Sequence, residues 1–156
     1  MALEGEACLA CRGQAGTQEF RFATGTGRHR IWGTALLTRR SVSVNLHGGE
    51  SPHVGAIGVG LPRPSRRRPG AWSSTTSILT LPGHREDELV RPLASRLAGQ
   101  LRRTAVVVAG IHLRGASARD LAALSRNAVR AVELLLKVSA IARRRPGSVR
   151  SHRPAG

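Results

Sequence analysis

Ser41-Val42-Ser43-Val44-Asn45-Leu46-His47 alternates polar and apolar residues without a break and runs straight into Gly48-Gly49. With a period of two, Val42, Val44 and Leu46 share one face and the polar side chains share the other. That is a half-buried strand, and it needs a sheet with one dry side. Upstream, residues 19–24 and 30–37 read as two strands of a hairpin around Gly25-Thr26-Gly27, where glycine tolerates positive φ. Downstream, residues 54–61 form a strand in which Ile57, Val59 and Leu61 share a face, while Gly58 and Gly60 leave the other face bare for a helix, a partner subunit or a ligand.

The arginine-rich stretch 62–69 reads as an exposed loop before a strand over 73–81. Leu89, Leu93, Leu97 and Leu101 recur at helical spacing, which predicts a helix over about 88–103 with Pro92 in its first turn. Residues 104–111 are almost wholly apolar, as in a central strand covered on both faces. Ser117-Ala118-Arg119-Asp120 is a capping-box-like start for a second helix, with Leu121, Leu124, Ala128, Ala131 and Leu135 on its apolar face and a break near Ser125. Five strands, a helix, a strand and a helix predict an α+β domain: a mainly antiparallel sheet with two helices on one face.

At 156 residues the chain suits one domain with a core of its own. Residues 1–16 lack periodicity and read as a flexible arm, 17–142 as the domain, and 143–156 as a basic disordered tail. The formal charge of +16 comes almost entirely from arginine, Lys137 being the one lysine. A cytoplasmic location is expected, because no signal peptide or membrane-length apolar run is visible.

Three histidines sit in glycine-rich company at strand ends: His53 in Gly48-Gly49-Glu50-Ser51-Pro52-His53-Val54-Gly55, His84 in Leu81-Pro82-Gly83-His84, and His112 in Ala109-Gly110-Ile111-His112. Imidazole beside exposed backbone suits a ligand better than a core. After His112, Arg114, Gly115 and a helix N-terminus would bring a guanidinium and free amides together, an arrangement suited to phosphate or carboxylate. The plainer alternative there is a turn with a solvated arginine.

These same blocks, in this order and followed by an amphipathic helix, resemble the prenylated-flavin chaperone family, typified by the small D subunit of gallate decarboxylase; the resemblance spans about 40–137. It implies a small non-catalytic protein, usually dimeric, with a domain similar to proteasome-assembly chaperones. Such a protein handles prenylated FMN between the flavin prenyltransferase and a decarboxylase of aromatic acids. The matching positions are Gly49, Pro52, His53, Gly55, His84, Gly110 and His112, and Gly48 and Arg114 join them as candidate cofactor-binding residues. Roles inferred for them are backbone approach at the glycines and hydrogen bonds from the histidines to flavin, phosphate or a metal held by His53, His84 and His112. FMN is expected to bind more weakly, and the bare glycines of 54–61 point to a homodimer.

Two other classes compete: an enzyme using a histidine-bound metal, and a basic nucleic-acid-binding module. Acidic residues are sparse and no Gly-x-Ser-x-Gly elbow is present, so catalysis is poorly supplied. Arginine runs at 66–68 and 143–145 suit nucleic acid, yet the chain has no tyrosine and few aromatic residues on which bases would stack. Solvated charge is the better reading. Trp32 and Trp72 are read as core residues before flavin platforms, and Cys8-x-x-Cys11 as incidental before half a zinc site.

Overall fold

The computed structural model describes residues 7–12 and 16–143, with side chains from 16 to 140. Its seven strands are β1 (Ala7–Arg12), β2 (Gln18–Thr24), β3 (Ile31–Leu37), β4 (Ser41–Gly49), β5 (Ala56–Pro64), β6 (Trp72–Thr80) and β7 (Thr104–His112). Helix α1 (Asp87–Leu101) precedes β7 and helix α2 (Ala118–Arg143) follows it. The strands lie in one sheet in the order β1-β2-β3-β4-β7-β5-β6. Only the β4/β7 pair is parallel. This is the expected α+β class.

Alternation puts Phe20, Ala35, Val44, Val107 and Gly58 in one register row across β2, β3, β4, β7 and β5, and all of them are buried. Both helices cover that face. Helix α1 lies over β5, β6 and β7, and α2 lies over β2 and β3. The buried stripe of α1 is Val90, Leu93, Ala94, Leu97, Ala98 and Leu101. It approaches β5 so closely that a Cβ on Gly60 would sit 2.5 Å from the Ala94 carbonyl oxygen and 2.9 Å from the Ala98 methyl. Of the three occupants open for the bare glycine face, a helix is the one found. At the other side of the layer, the buried Thr24 hydroxyl donates to the Asn127 carbonyl at 2.7 Å, and the Asn127 amide donates to the His29 carbonyl at 2.8 Å. These bonds pin α2 to the β2/β3 connection, where Gly25 and Gly27 have φ of 72° and 55°.

The structure departs from the sequence reading in several places. Ala7–Arg12, expected to belong to a flexible arm, is an edge strand paired with β2; residues 1–6 and the tail beyond 143 lie outside the described residues. Cys8 and Cys11 fall on that strand, in register with Phe22 and Glu19. Strand β5 continues through Pro62 and Pro64 instead of breaking at 62. The prolines are tolerated because pairing to β7 stops at Gly60, so beyond it β5 has β6 alone as a neighbour. Pro92 lies in the second turn of α1, where it supplies no N–H to the carbonyl one turn earlier. Helix α2 runs through Ser125 unbroken, with that residue exposed to solvent. Strand β7 is covered on one face only: Ala105, Val107 and Ala109 are buried by the helices, whereas Val106 and Val108 are half-buried on the open face. Neither tryptophan is a core residue. Trp32 is half-buried on the open face and Trp72 is 40% exposed, with the Arg102 guanidinium 5.2 Å from its ring centroid.

Gly60→Val should therefore destabilise the domain by about 1–3 kcal/mol, because the new side chain must displace α1 backbone and not a flexible side chain. Urea unfolding of the two proteins measures it, and an unchanged midpoint would disprove the close seating of α1.

Candidate functional site

Three chain segments meet beyond the C-terminal ends of β4 and β7. The segment after β4 doubles back so that His53 lies over Gly110 of β7, where a Cβ would strike the His53 carbonyl. A turn with Gly83 at φ 82° closes with the His84 amide donating to the Leu81 carbonyl at 3.1 Å, and it presents the second imidazole. Glu86, the residue that caps α1, reaches the same point. His53 Nε2 is 3.1 Å from His84 Nδ1 and 3.2 Å from Glu86 Oε1, and His84 Nδ1 is 3.6 Å from Glu86 Oε2. The carboxylate is held by two backbone amides: Ile111 N–H donates to Oε1 at 3.2 Å and Arg85 N–H to Oε2 at 3.1 Å. It fits there because Gly55 lacks a side chain, since a Cβ would lie 2.5 Å from the carboxylate. His112 stands at the rim, its ring edge-on to His53 with centroids 6.3 Å apart. Two imidazoles and a carboxylate at these separations can share a proton or hold a metal ion.

The open sheet face next to this cluster carries a groove of about 700 Å³ lined by Arg21, Ala23, Arg30, Trp32, Thr34 and His47, among others. Trp32, His47 and Gly110 are register neighbours on β3, β4 and β7, so the groove and the histidine cluster share one end of one face. The Trp32 and His47 rings lie 6.3 Å apart at 46°. His47 Nδ1 is buried and, among the described residues, is the buried side-chain nitrogen or oxygen with no hydrogen-bond partner. A buried polar atom left without a partner in a wall of the groove is a departure from the pairing found elsewhere among the described residues.

Residues 25–140 match the family described as the prenylated flavin chaperone LpdD-like domain. The chain belongs to that family. A search among curated proteins finds no match to it. The expected resemblance is thereby confirmed at the level of the family, and with it a chaperone role associated with prenylated flavin.

In this prenylated flavin chaperone, His53 and His84 are in contact and His112 is close by, whereas the glycines of the motif serve the chain itself. Gly48 is buried against Ile31, and Gly49, with φ 75°, faces the backbone of His112. Gly55 and Gly110 make room for Glu86 and His53. Pro52 is exposed. Arg114 is exposed as well, its amide donating to Glu50 at 3.4 Å and its carbonyl accepting from Arg28 at 3.2 Å. The N-terminus of α2, expected to suit an external anion, already holds Asp120. Ser117 donates to Asp120 Oδ2 from its amide at 2.9 Å and from its hydroxyl at 2.6 Å, and His29 Nε2 lies 2.6 Å from Oδ1. Sequence reasoning passed over Glu86, because an acid at a helix start is ordinarily just favourable to the helix dipole. The readable signal was His84-x-Glu86 directly after a glycine turn. Arg21 and His47 were legible only through strand register, and Trp32, read as core before flavin platform, lies half-buried on the open face.

The hydrogen bonds from Ser117, and then from His29, hold the Asp120 carboxyl well below its usual 3.8. A folded-state value below the unfolded one contributes stability that is complete above 3.8 and is lost as pH falls toward the folded value. Thermal melts below pH 4 should accordingly fall less steeply for Asp120→Asn than for the parent protein. Parallel curves would show that the carboxylate contributes nothing to the acid response.

Proposed function

We propose that this chaperone binds prenylated FMN, and FMN more weakly, and supports its maturation or its delivery to a partner decarboxylase of aromatic acids. In this reading it is cytoplasmic, receives the flavin from the prenyltransferase, and performs no turnover of its own. The observation that carries the proposal is the groove beside the histidine cluster. Its residues suit such a molecule part by part. The Trp32 indole offers a face for a flat tricyclic ring, the Arg21 and Arg30 guanidiniums offer charge and donors to a phosphate, and the His47 imidazole offers a polar ring on the groove wall. When bound, prenylated FMN supplies the decarboxylase with its electron-accepting ring system; the chaperone's residues bind it, orient it and shield one face. His53, His84 and His112 lie at the same end of the sheet, past Gly110, the register neighbour of His47.

Titration with prenylated FMN, followed by flavin absorbance, should show saturable binding, and Trp32→Ala should weaken it by about tenfold through loss of the stacking face. His53→Ala should also weaken it while leaving the circular dichroism spectrum intact. Absence of binding by either flavin defeats the reading. Apo-decarboxylase given prenylated FMN should gain more activity with the chaperone than without it; equal activity in both mixtures means that the role is wrong even if flavin binds.

A homodimer is part of the same proposal. The open face exposes Leu61 and Leu79 next to half-buried Ile57, Val59, Val106 and Val108, an apolar strip that a second copy would cover. Light scattering should return twice the chain mass, and a monomer across a wide concentration range would exclude it.

A further inference from the structure

We propose that His53 Nε2, His84 Nδ1 and the Glu86 carboxylate bind one divalent first-row transition ion, with a coordination position open to solvent. The convergence of three donor groups on one point suggests it. His53 Nδ1 lies 3.0 Å from the Ser51 carbonyl oxygen, which can only accept, so Nδ1 donates there and Nε2 is the ring nitrogen turned toward the cluster. Nε2 faces Glu86 Oε1 at 3.2 Å and His84 Nδ1 at 3.1 Å. Two ring nitrogens and a carboxylate meeting in this way are the donor set of a cation site. The donation from His53 Nδ1 to a backbone carbonyl is also the outer contact that fixes the tautomer of a metal-binding imidazole.

Spacing and surroundings agree. Zinc bonds of about 2.0–2.1 Å to nitrogen and oxygen put two tetrahedral ligands about 3.4 Å apart. His53 Nε2 lies 3.1 Å from His84 Nδ1 and 3.2 Å from Glu86 Oε1, both near that value, and His84 Nδ1 is 3.6 Å from the other carboxylate oxygen, Oε2. All three ligand residues come from positions the backbone holds: His53 above Gly110, His84 on the Gly83 turn, and Glu86 tied to the Ile111 and Arg85 amides. The carboxylate side chain is 11% exposed and the imidazoles 23% and 32%, so the set is largely enclosed by protein yet keeps access to solvent. Two nitrogens and one oxygen select a borderline ion such as zinc or cobalt over magnesium or calcium. The site adjoins the groove assigned to flavin, but ion binding is measured with no flavin present, so either proposal can fail alone.

The full chain, stripped with chelator, should take up one Co(II) per protomer with visible d–d absorption that Zn(II) abolishes. His84→Ala and Glu86→Gln should each weaken Co(II) binding at least about tenfold, while His29→Ala, at the histidine paired with Asp120, leaves it unchanged. Should either variant fail to fold, imidazole nitrogen resonances of the parent protein decide the matter: Zn(II) should shift those of His53 and His84 and spare that of His29. No uptake up to about 1 mM ion, uptake unaffected by both variants, or shifts confined to other histidines would overturn the site and leave a proton-sharing cluster in its place.

Discussion

The polar cluster at the end of this sheet depends on how closely α1 sits on β5. Gly58 and Gly60 offer no side chains, so Ala94 and Ala98 come down onto the strand backbone, and the helix is held at a height that only small residues permit. A helix seated there buries Leu93, Leu97 and Leu101 beside it and carries its capping residue, Glu86, to the end of β7. The carboxylate then finds the Ile111 amide and the space left by Gly55. Packing on the covered face therefore sets the geometry of a polar cluster at the edge of the uncovered one.

The two faces divide labour in a way that composition alone does not reveal. The covered face is dry, and its buried polar groups are paired, as with Thr24, Asn127 and Ser139. The open face keeps an unpaired imidazole nitrogen, an indole, two arginines and an apolar strip within a few strands of one another. Polar groups left unsatisfied on an otherwise well-paired protein are a marker of ligand chemistry, and here they coincide with the family's association with prenylated flavin.

Much of this architecture was legible in the primary structure. The alternation of Ser41 to His47 identified both the strand and its buried face, and the leucine spacing identified α1. The three glycine and histidine blocks pointed to loops that do converge at His53 and His84. Features that depend on partners distant in sequence were not legible. The edge strand β1 has no alternation of its own and exists because β2 offers it an edge; β5 passes through two prolines because it has run past the start of β7. Glu86 looked like any acid at a helix start, and the glycines looked like space for a ligand when they are space for the chain itself.

The parallel contact between β4 and β7 pairs Ser41 with Thr104, so the middle of the sheet is closed by a strand made long after its neighbour. Until β7 emerges from the ribosome, β4 presents an unpaired edge, and neither β5 nor α1 has its central support. His53, His84 and Glu86 are all synthesised before then, but the amide of Ile111 and the bare backbone of Gly110 that organise them arrive only with β7. Contacts of such long range are slow to form. Nascent chains consequently carry His53, His84 and Glu86 without the backbone that organises them until β7 is in place.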